Sequence, residues 1–138
     1  VTWNRHGRGC ACYAAGSIEA EPQKINRAVF EGLIRRLHGG TIPVEAEAPA
    51  FVELTVFDKP SENRLNLSLV SLRQNEEPIS CQGKVLVRLG ESRRLAALRS
   101  LPDRRNHPFN DIPGGIEFTF SDFKTFSMFE LEYNQPTL

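Results

Sequence analysis

Between residues 24 and 38 the apolar positions recur every three or four residues: Ile25, Val29, Phe30, Leu33, Ile34 and Leu37. Projected at about 100° per residue they occupy about half the circumference of a helix, with Lys24, Arg27, Glu31 and Arg35 gathered opposite. Pro22 suits a first turn, where a missing N–H costs nothing. Gly39-Gly40 is the stop, with the first glycine as a left-handed cap. The pattern predicts one amphipathic helix from Pro22 to His38. Arg27–Glu31 and Glu31–Arg35 are i,i+4 pairs, each contributing about 0.2–0.5 kcal/mol. His38 falls in the last turn, where a cation suits the helix dipole. So wide an apolar arc must lie against a sheet.

Ahead of this helix, residues 1–15 read as two strands joined by the turn His6-Gly7-Arg8-Gly9, with Gly7 and Gly9 expected to supply positive φ. The small apolar run from Cys10 to Ala15 suits a strand covered on both faces. A bare hairpin is marginal in water, so this one needs partners. After the helix, residues 41–50 (TIPVEAEAPA) have two prolines and no period, and read as an extended linker.

From residue 51 the period becomes two. Val52, Leu54 and Val56 share one face, and a turn at residues 59–63 leads to a strand with Leu65, Leu67 and Leu69 inward. Together they predict a hairpin. Residues 74–82 read as a polar loop; Val85, Val87 and Leu89 alternate next. The run from Leu95 to Leu101 is ambiguous by period, and its neighbours favour strand. Pro102-Asp103 reads as a turn, with a short edge segment at Pro108-Phe109. Then come Ile116, Phe118 and Phe120 inward, and a last strand with Phe129, Leu131 and Tyr133 inward. Residues 134–138 should be a frayed tail. Short strands at this spacing predict an antiparallel β-sandwich over 51–138. The fold class is therefore mostly β: a sandwich preceded by a hairpin and one helix (1–40) and a linker (41–50).

Charge adds little to this picture. Lys plus Arg and Asp plus Glu are 17 each, for a net charge of zero. That balance favours neither nucleic acid nor an anionic membrane as partner. Arg93, Arg94, Arg99, Arg104 and Arg105 make the middle locally basic, which reads as a solvated face. The odd set Cys10, Cys12 and Cys81 argues against a disulfide framework and against zinc, and for small buried thiols. No cofactor or metal is expected. No apolar run is long enough to cross a bilayer, and no signal peptide is visible. The start at Val1, without a Met, suggests a piece of a longer chain.

No catalytic constellation emerges. Glycosidase chemistry needs two carboxyls roughly 5–9.5 Å apart in a cleft. Asp103, Asp111 and Asp122 sit in turn contexts, while Glu130 and Glu132 fall on the outward face of the last strand. Ser17, Ser68 and Ser71 lack a glycine elbow and form no motif with His6, His38 or His107. Asn4-Arg5-His6-Gly7-Arg8-Gly9 lacks the Lys-Ser/Thr of a phosphate loop. Trp3 and Tyr13 have the chemistry to stack on a sugar ring, but read as core on a small sheet. Catalytic and metal residues are therefore none, and a ligand-binding set stays open.

The run NRHGRGCACYAAG, a closing helix and a Pro-containing linker resemble the end of a beta-galactosidase trimerisation-type domain. Such domains have a glutamine-amidotransferase-like (flavodoxin-like) α/β fold and follow the catalytic barrel in many bacterial glycosidases. FVELTVFDKPSENRLNLSLVSLRQ, VLVRLG, SLPD, PFN and GGIEFTFSDFKTFSMFELEY are similar to the small β-sandwich closing the same proteins. The usual Asp-Gly turn stands here as Asp103-Arg104, a departure touching that hairpin. The resemblance implies that the catalytic carboxylates lie in an upstream barrel and that no catalytic residue maps onto this sequence. It further implies a non-catalytic accessory region of a glycoside hydrolase, packing on the upstream catalytic domain or mediating subunit contacts. The apolar arc of the helix from Pro22 to His38 packs either on the sandwich or on a sheet outside this sequence; in the second case the helix is the surface for a homo-oligomer. The alternative is a carbohydrate-binding sandwich, which requires exposed aromatic residues along one face.

Overall fold

The structure is a computed structural model that describes residues 1–16, 18, 24–73, 76–90 and 92–134. The chain divides into two compact units, Val1–Ile42 and Pro43–Leu138.

In the first unit, β1 (Thr2–His6) and β2 (Gly9–Tyr13) pair antiparallel from Thr2↔Tyr13 to His6↔Gly9. Gly7 alone takes positive φ in the turn, at 57°; Gly9 does not, contrary to expectation. Helix α1 spans Lys24–His38. The start expected at Pro22 lies outside the described residues. Gly39 caps the helix in the left-handed region (φ 71°), its N–H donating to Arg35 O at 3.3 Å. The expected Glu31–Arg35 pair forms at 2.9 Å.

Burial in this unit departs from the sequence reading. Cys10, Ala11 and Tyr13 are exposed and Cys12 is half-buried, so β2 is not a strand covered on both faces. Nor are its thiols buried; Cys81, in the second unit, is half-buried as well. Trp3 is half-buried, with the Arg36 guanidinium 4.4 Å from its ring centroid, and Tyr13 is 68% exposed. Neither is core. A two-stranded ribbon has too little face to bury both itself and a helix. Accordingly α1 buries no residue, and Ile25, Val29, Phe30, Ile34 and Leu37 stay exposed.

The second unit is the expected sandwich. One sheet has the order β3 (Val44–Glu47), β6 (Cys81–Arg88), β10 (Gly115–Phe123), β9 (Asn110–Ile112). The other runs β4 (Val52–Lys59), β5 (Arg64–Ser71), β11 (Phe126–Asn134), β7 (Arg94–Leu101), β8 (Arg105–Asn106). All pairings are antiparallel. The inward residues named from the alternation form the core: Leu65, Leu67, Leu69, Val85, Val87, Leu89, Ile116, Phe118, Phe120, Phe129, Leu131 and Tyr133, joined by Leu98 and Phe123. His107 stands edge-on to Phe118 and Phe129, with centroids at 5.6 and 4.9 Å.

Three corrections concern this unit. Residues 44–47 of the expected linker are β3, in register with β6 from Val44↔Val87 to Glu47↔Lys84. A four-residue edge strand flanked by prolines is too short to declare a period, and its pairing with β6 makes it a strand. The edge segment expected at Pro108-Phe109 is instead two strands on either side, β8 and β9, which belong to different sheets. Phe109 packs on the core between them. β6 begins at Cys81, inside the expected polar loop. Asn134 closes β11, and the rest of the expected tail lies outside the described residues.

The turn in which Asp103-Arg104 replaces Asp-Gly forms all the same. Arg104 takes the left-handed conformation itself (φ 55°), a conformation costing a non-glycine residue about 1–2 kcal/mol. Its side chain explains why the position is not glycine.

Candidate functional site

The outer face of the five-stranded sheet is organised by register. Thr55, Ser68, Met128 and Leu101 lie in one cross-strand row. Phe57, Asn66, Glu130, Arg99 and Asn106 form the next. Lys59, Arg64, Glu132 and Ala97 form a third. On the other side of the Met128 row lie Val70 and Phe126, with Glu53 at the far edge on β4. The face therefore grades from apolar at the Phe126 end to ionic at the Glu132 end.

The ionic end is a network. Glu130 accepts from Arg104 Nη2 at 3.0 Å and lies 3.6 Å from Arg64 Nη1. Glu132 lies 2.7 Å from Arg99 Nη1, 3.5 Å from Arg104 Nη2 and 3.8 Å from Arg64 Nη2. Glu130 faces outward as expected, yet it is only 7% exposed, because the arginines fold over it. Sequence alternation marks a face as outward but cannot report that long side chains cover it. The expected basic cluster is thereby dispersed. Arg93 pairs with Asp58 at 2.9 Å and lies over the Tyr133 ring, and Arg105 pairs with Asp103 at 3.1 Å.

Between the two ends lies a trough of about 530 Å³, lined by Leu101, Pro102, Arg104, Phe126, Met128 and Glu130. β11 supplies Phe126, Met128 and Glu130 at alternate positions along one wall. The end of β7 and its turn supply the other. Phe126 is 56% exposed at the rim. The volume falls within the roughly 300–1,000 Å³ of small-molecule sites, and so does the chemistry: apolar walls with few polar groups.

A second depression, of about 800 Å³, belongs to the first unit, among Trp3, Arg5, Arg8, Cys10, Arg36 and His38. Its arginines suggest an anion, but the helix C-terminus beside it carries the wrong partial charge. Arg5, Arg8 and Arg36 are all exposed and solvated. His38 Nε2 donates to Thr41 O at 3.1 Å. The phosphate-loop reading of residues 4–9 gains no support.

The candidate catalytic residues separate. Asp111 lies in β9 and Asp122 at the bulged end of β10 (φ 53°), so only Asp103 keeps the turn context expected for all three. Ser17 is outside the described residues; Ser68 is buried, and Ser71 Oγ accepts the Arg73 N–H at 3.5 Å. His107 Nε2 donates to Thr119 O at 2.7 Å, which commits that ring to structure. Glu130 and Glu132 do share a face. A glycosidase acid, however, must hold its proton near neutrality, through a raised pKa. The Arg99 guanidinium, helped by Arg64 and Arg104, instead holds the Glu132 carboxyl below its ordinary value, against the opposing effect of burial. Among the described residues no group of three or more His, Cys, Asp or Glu is placed to hold a metal ion.

The Glu132 shift has a testable sign. Its native pKa lies below the ordinary 4.5, so its contribution to stability is present above that value and fades as pH falls through the depressed native one. The melting temperature should therefore drop as pH is lowered from 4.5, and Glu132→Gln should flatten that part of the profile. Parallel acid limbs for the two proteins would contradict the assignment.

No known family profile matches this sequence, and no curated protein does either. Among solved structures, the chain is similar to alpha-L-fucosidase isoenzyme 2 from Paenibacillus thiaminolyticus. The TM-score is 0.67 at 21% identity, over 80% of this chain and 18% of that one. At that identity the likeness is one of fold, and this chain spans less than a fifth of the fucosidase.

Proposed function

We propose that this chain is a non-catalytic accessory region of a multidomain glycoside hydrolase. The observation that carries the reading is the fold it shares, over most of its length, with a minor part of an α-L-fucosidase. The pairing of Glu132 with Arg99 supports it, since that carboxyl is held below its ordinary pKa, the opposite of what a glycosidase acid needs. In this reading the hairpin and α1 are the end of a trimerisation-like α/β domain, the sandwich closes the polypeptide, and the catalytic domain lies upstream. The chain should release no nitrophenol from aryl α-L-fucosides, β-galactosides or other aryl glycosides. Appreciable turnover, abolished by Glu130→Gln or Glu132→Gln, would sink the proposal.

The exposed apolar arc of α1 supports its use in packing, on the rest of the polypeptide or on a second copy. Alone, the chain is expected to self-associate in a concentration-dependent manner by analytical ultracentrifugation, and Phe30→Asp to return it to monomer. A wild-type chain that stays monomeric to millimolar concentration would refute this.

The alternative, a carbohydrate-binding sandwich, is favoured by one observation. Most sandwich phenylalanines point inward, but Phe57 and Phe126 are both exposed on the outer face of the five-stranded sheet.

A further inference from the structure

We infer that the trough along β11 is a binding site for a neutral saccharide, its ring lying on Phe126 and its hydroxyls engaging Glu130 and Arg104. The choice of a saccharide rests on the glycoside hydrolase reading; the location and charge of the site do not.

The floor of an exposed antiparallel face is normally polar. Here the row beside the charged ones holds Met128 and Leu101 with Thr55 and Ser68, and the row beyond it holds Val70 and Phe126 with Glu53, so the apolar side chains gather where β11 meets β7, with Phe126 standing 56% exposed. Six side chains line this open depression, four of them apolar. Such a lining selects a ligand with one apolar face. The other two are Glu130 and Arg104, joined to each other at 3.0 Å. Their opposite charges offset each other at the trough wall, so a phosphate or a carboxylate would meet Glu130 and an ammonium ion would meet Arg104. A neutral ligand meets no such penalty.

Hydrogen-bonding capacity survives the pairing. A carboxylate offers about four lone-pair sites, and a guanidinium about five N–H donors in a rigid fork. Arg104 is half exposed, so part of its fork stays open to solvent, whereas Glu130 is 10% exposed at its side chain and offers only the edge that lines the trough. One edge of the site thus accepts and donates side by side, as vicinal hydroxyls require, and the other edge is an aromatic ring. A pyranose has that division: C–H bonds on one face and hydroxyls around its rim. The residue at 104 holds a left-handed conformation that glycine would adopt without strain. An arginine there places its guanidinium over Glu130.

The test is an amide chemical-shift titration of the whole chain with methyl glycosides of neutral sugars, including methyl α-L-fucoside and methyl β-D-galactoside. Glucuronic acid and benzyl alcohol serve as charged and purely apolar comparisons. At least one neutral glycoside should shift the amides of Leu101, Asp103, Arg104 and residues 126–130 saturably at millimolar concentration. Phe126→Ala, at an exposed position, should weaken that binding tenfold or more; Arg104→Gln should weaken it and leave benzyl alcohol unaffected. Trp3→Ala should change nothing. No saturable shift with any glycoside, or binding indifferent to Phe126→Ala, overturns the proposal. Shifts with benzyl alcohol but no sugar overturn it too, leaving an apolar docking groove. Failure here leaves the accessory-region reading standing, because that reading falls only on glycoside turnover or on the state of α1.

Discussion

Gly115→Ala is expected to destabilise the sandwich by about 3 kcal/mol or more, at the upper end of what overpacking costs. Gly115 begins β10 and is flanked on both sides, by Arg88 of β6 and Ile112 of β9. A Cβ at this position would run into the Val87 carbonyl oxygen and come within 2.9 Å of Arg88 Cα. These are backbone atoms of a central strand, so no side chain can swing aside to relieve the clash. The neighbouring glycine provides the comparison. Gly114 has φ 77° with nothing near its absent Cβ, so alanine there meets only the left-handed penalty of about 1–2 kcal/mol. Urea unfolding followed by tryptophan-independent far-UV circular dichroism should rank Gly115→Ala well below Gly114→Ala. The reverse order would mean that β6 and β10 approach less closely than described.

Phe118→Ala should cost about 3–5 kcal/mol, the usual range for deleting a buried aromatic ring. Phe118 is 1% exposed at the centre of β10. Its ring lies 5.0 Å from that of Phe129 in the opposite sheet and 5.6 Å from His107, so its loss opens a cavity between the sheets. Against a typical total of about 5–15 kcal/mol, such a loss consumes much of the margin. The measurement is the denaturation midpoint, with Phe57→Ala beside it. Phe57 is 59% exposed and should shift the midpoint little. Equal shifts for the two would remove Phe118 from the core.

The contrast between these two phenylalanines was legible in the sequence. Phe118 alternates with Glu117 and Thr119, and Phe57 lies out of phase with Val52, Leu54 and Val56. A period of two assigns faces with no knowledge of neighbours. The same rule placed Leu67, Val87, Leu131 and Tyr133 correctly. It failed on short or composite segments. β3 has four residues, β8 two and β9 three, which is too few to establish a period. Their conformation is decided by the strand edge each one finds. It fails also for the hairpin, whose small apolar residues suggest burial; Cys10 and Tyr13 are exposed because a two-stranded ribbon leaves much of its surface uncovered.

The candidate site was legible only in part. Arg104 stood out as the departure from an Asp-Gly turn, and Glu130 as an outward carboxylate. Nothing in their separation of 26 residues says that they touch, or that Phe126 and Leu101 enclose a trough with them.

What the sequence determined by itself was therefore local. It set the end of α1 at His38 and its glycine stop, the alternation of the long strands, and the mostly β class, because each depends on residues within one turn or one strand of each other. The tertiary structure alone decided the strand order and the capture of residues 44–47 by β6. It also decided the burial of Glu130 under arginines from β5 and the β7–β8 turn, and the apolar trough beside it. Each of these joins residues far apart in the chain, and the physical cause is the pairing of strand edges and the packing of faces, which no local period encodes.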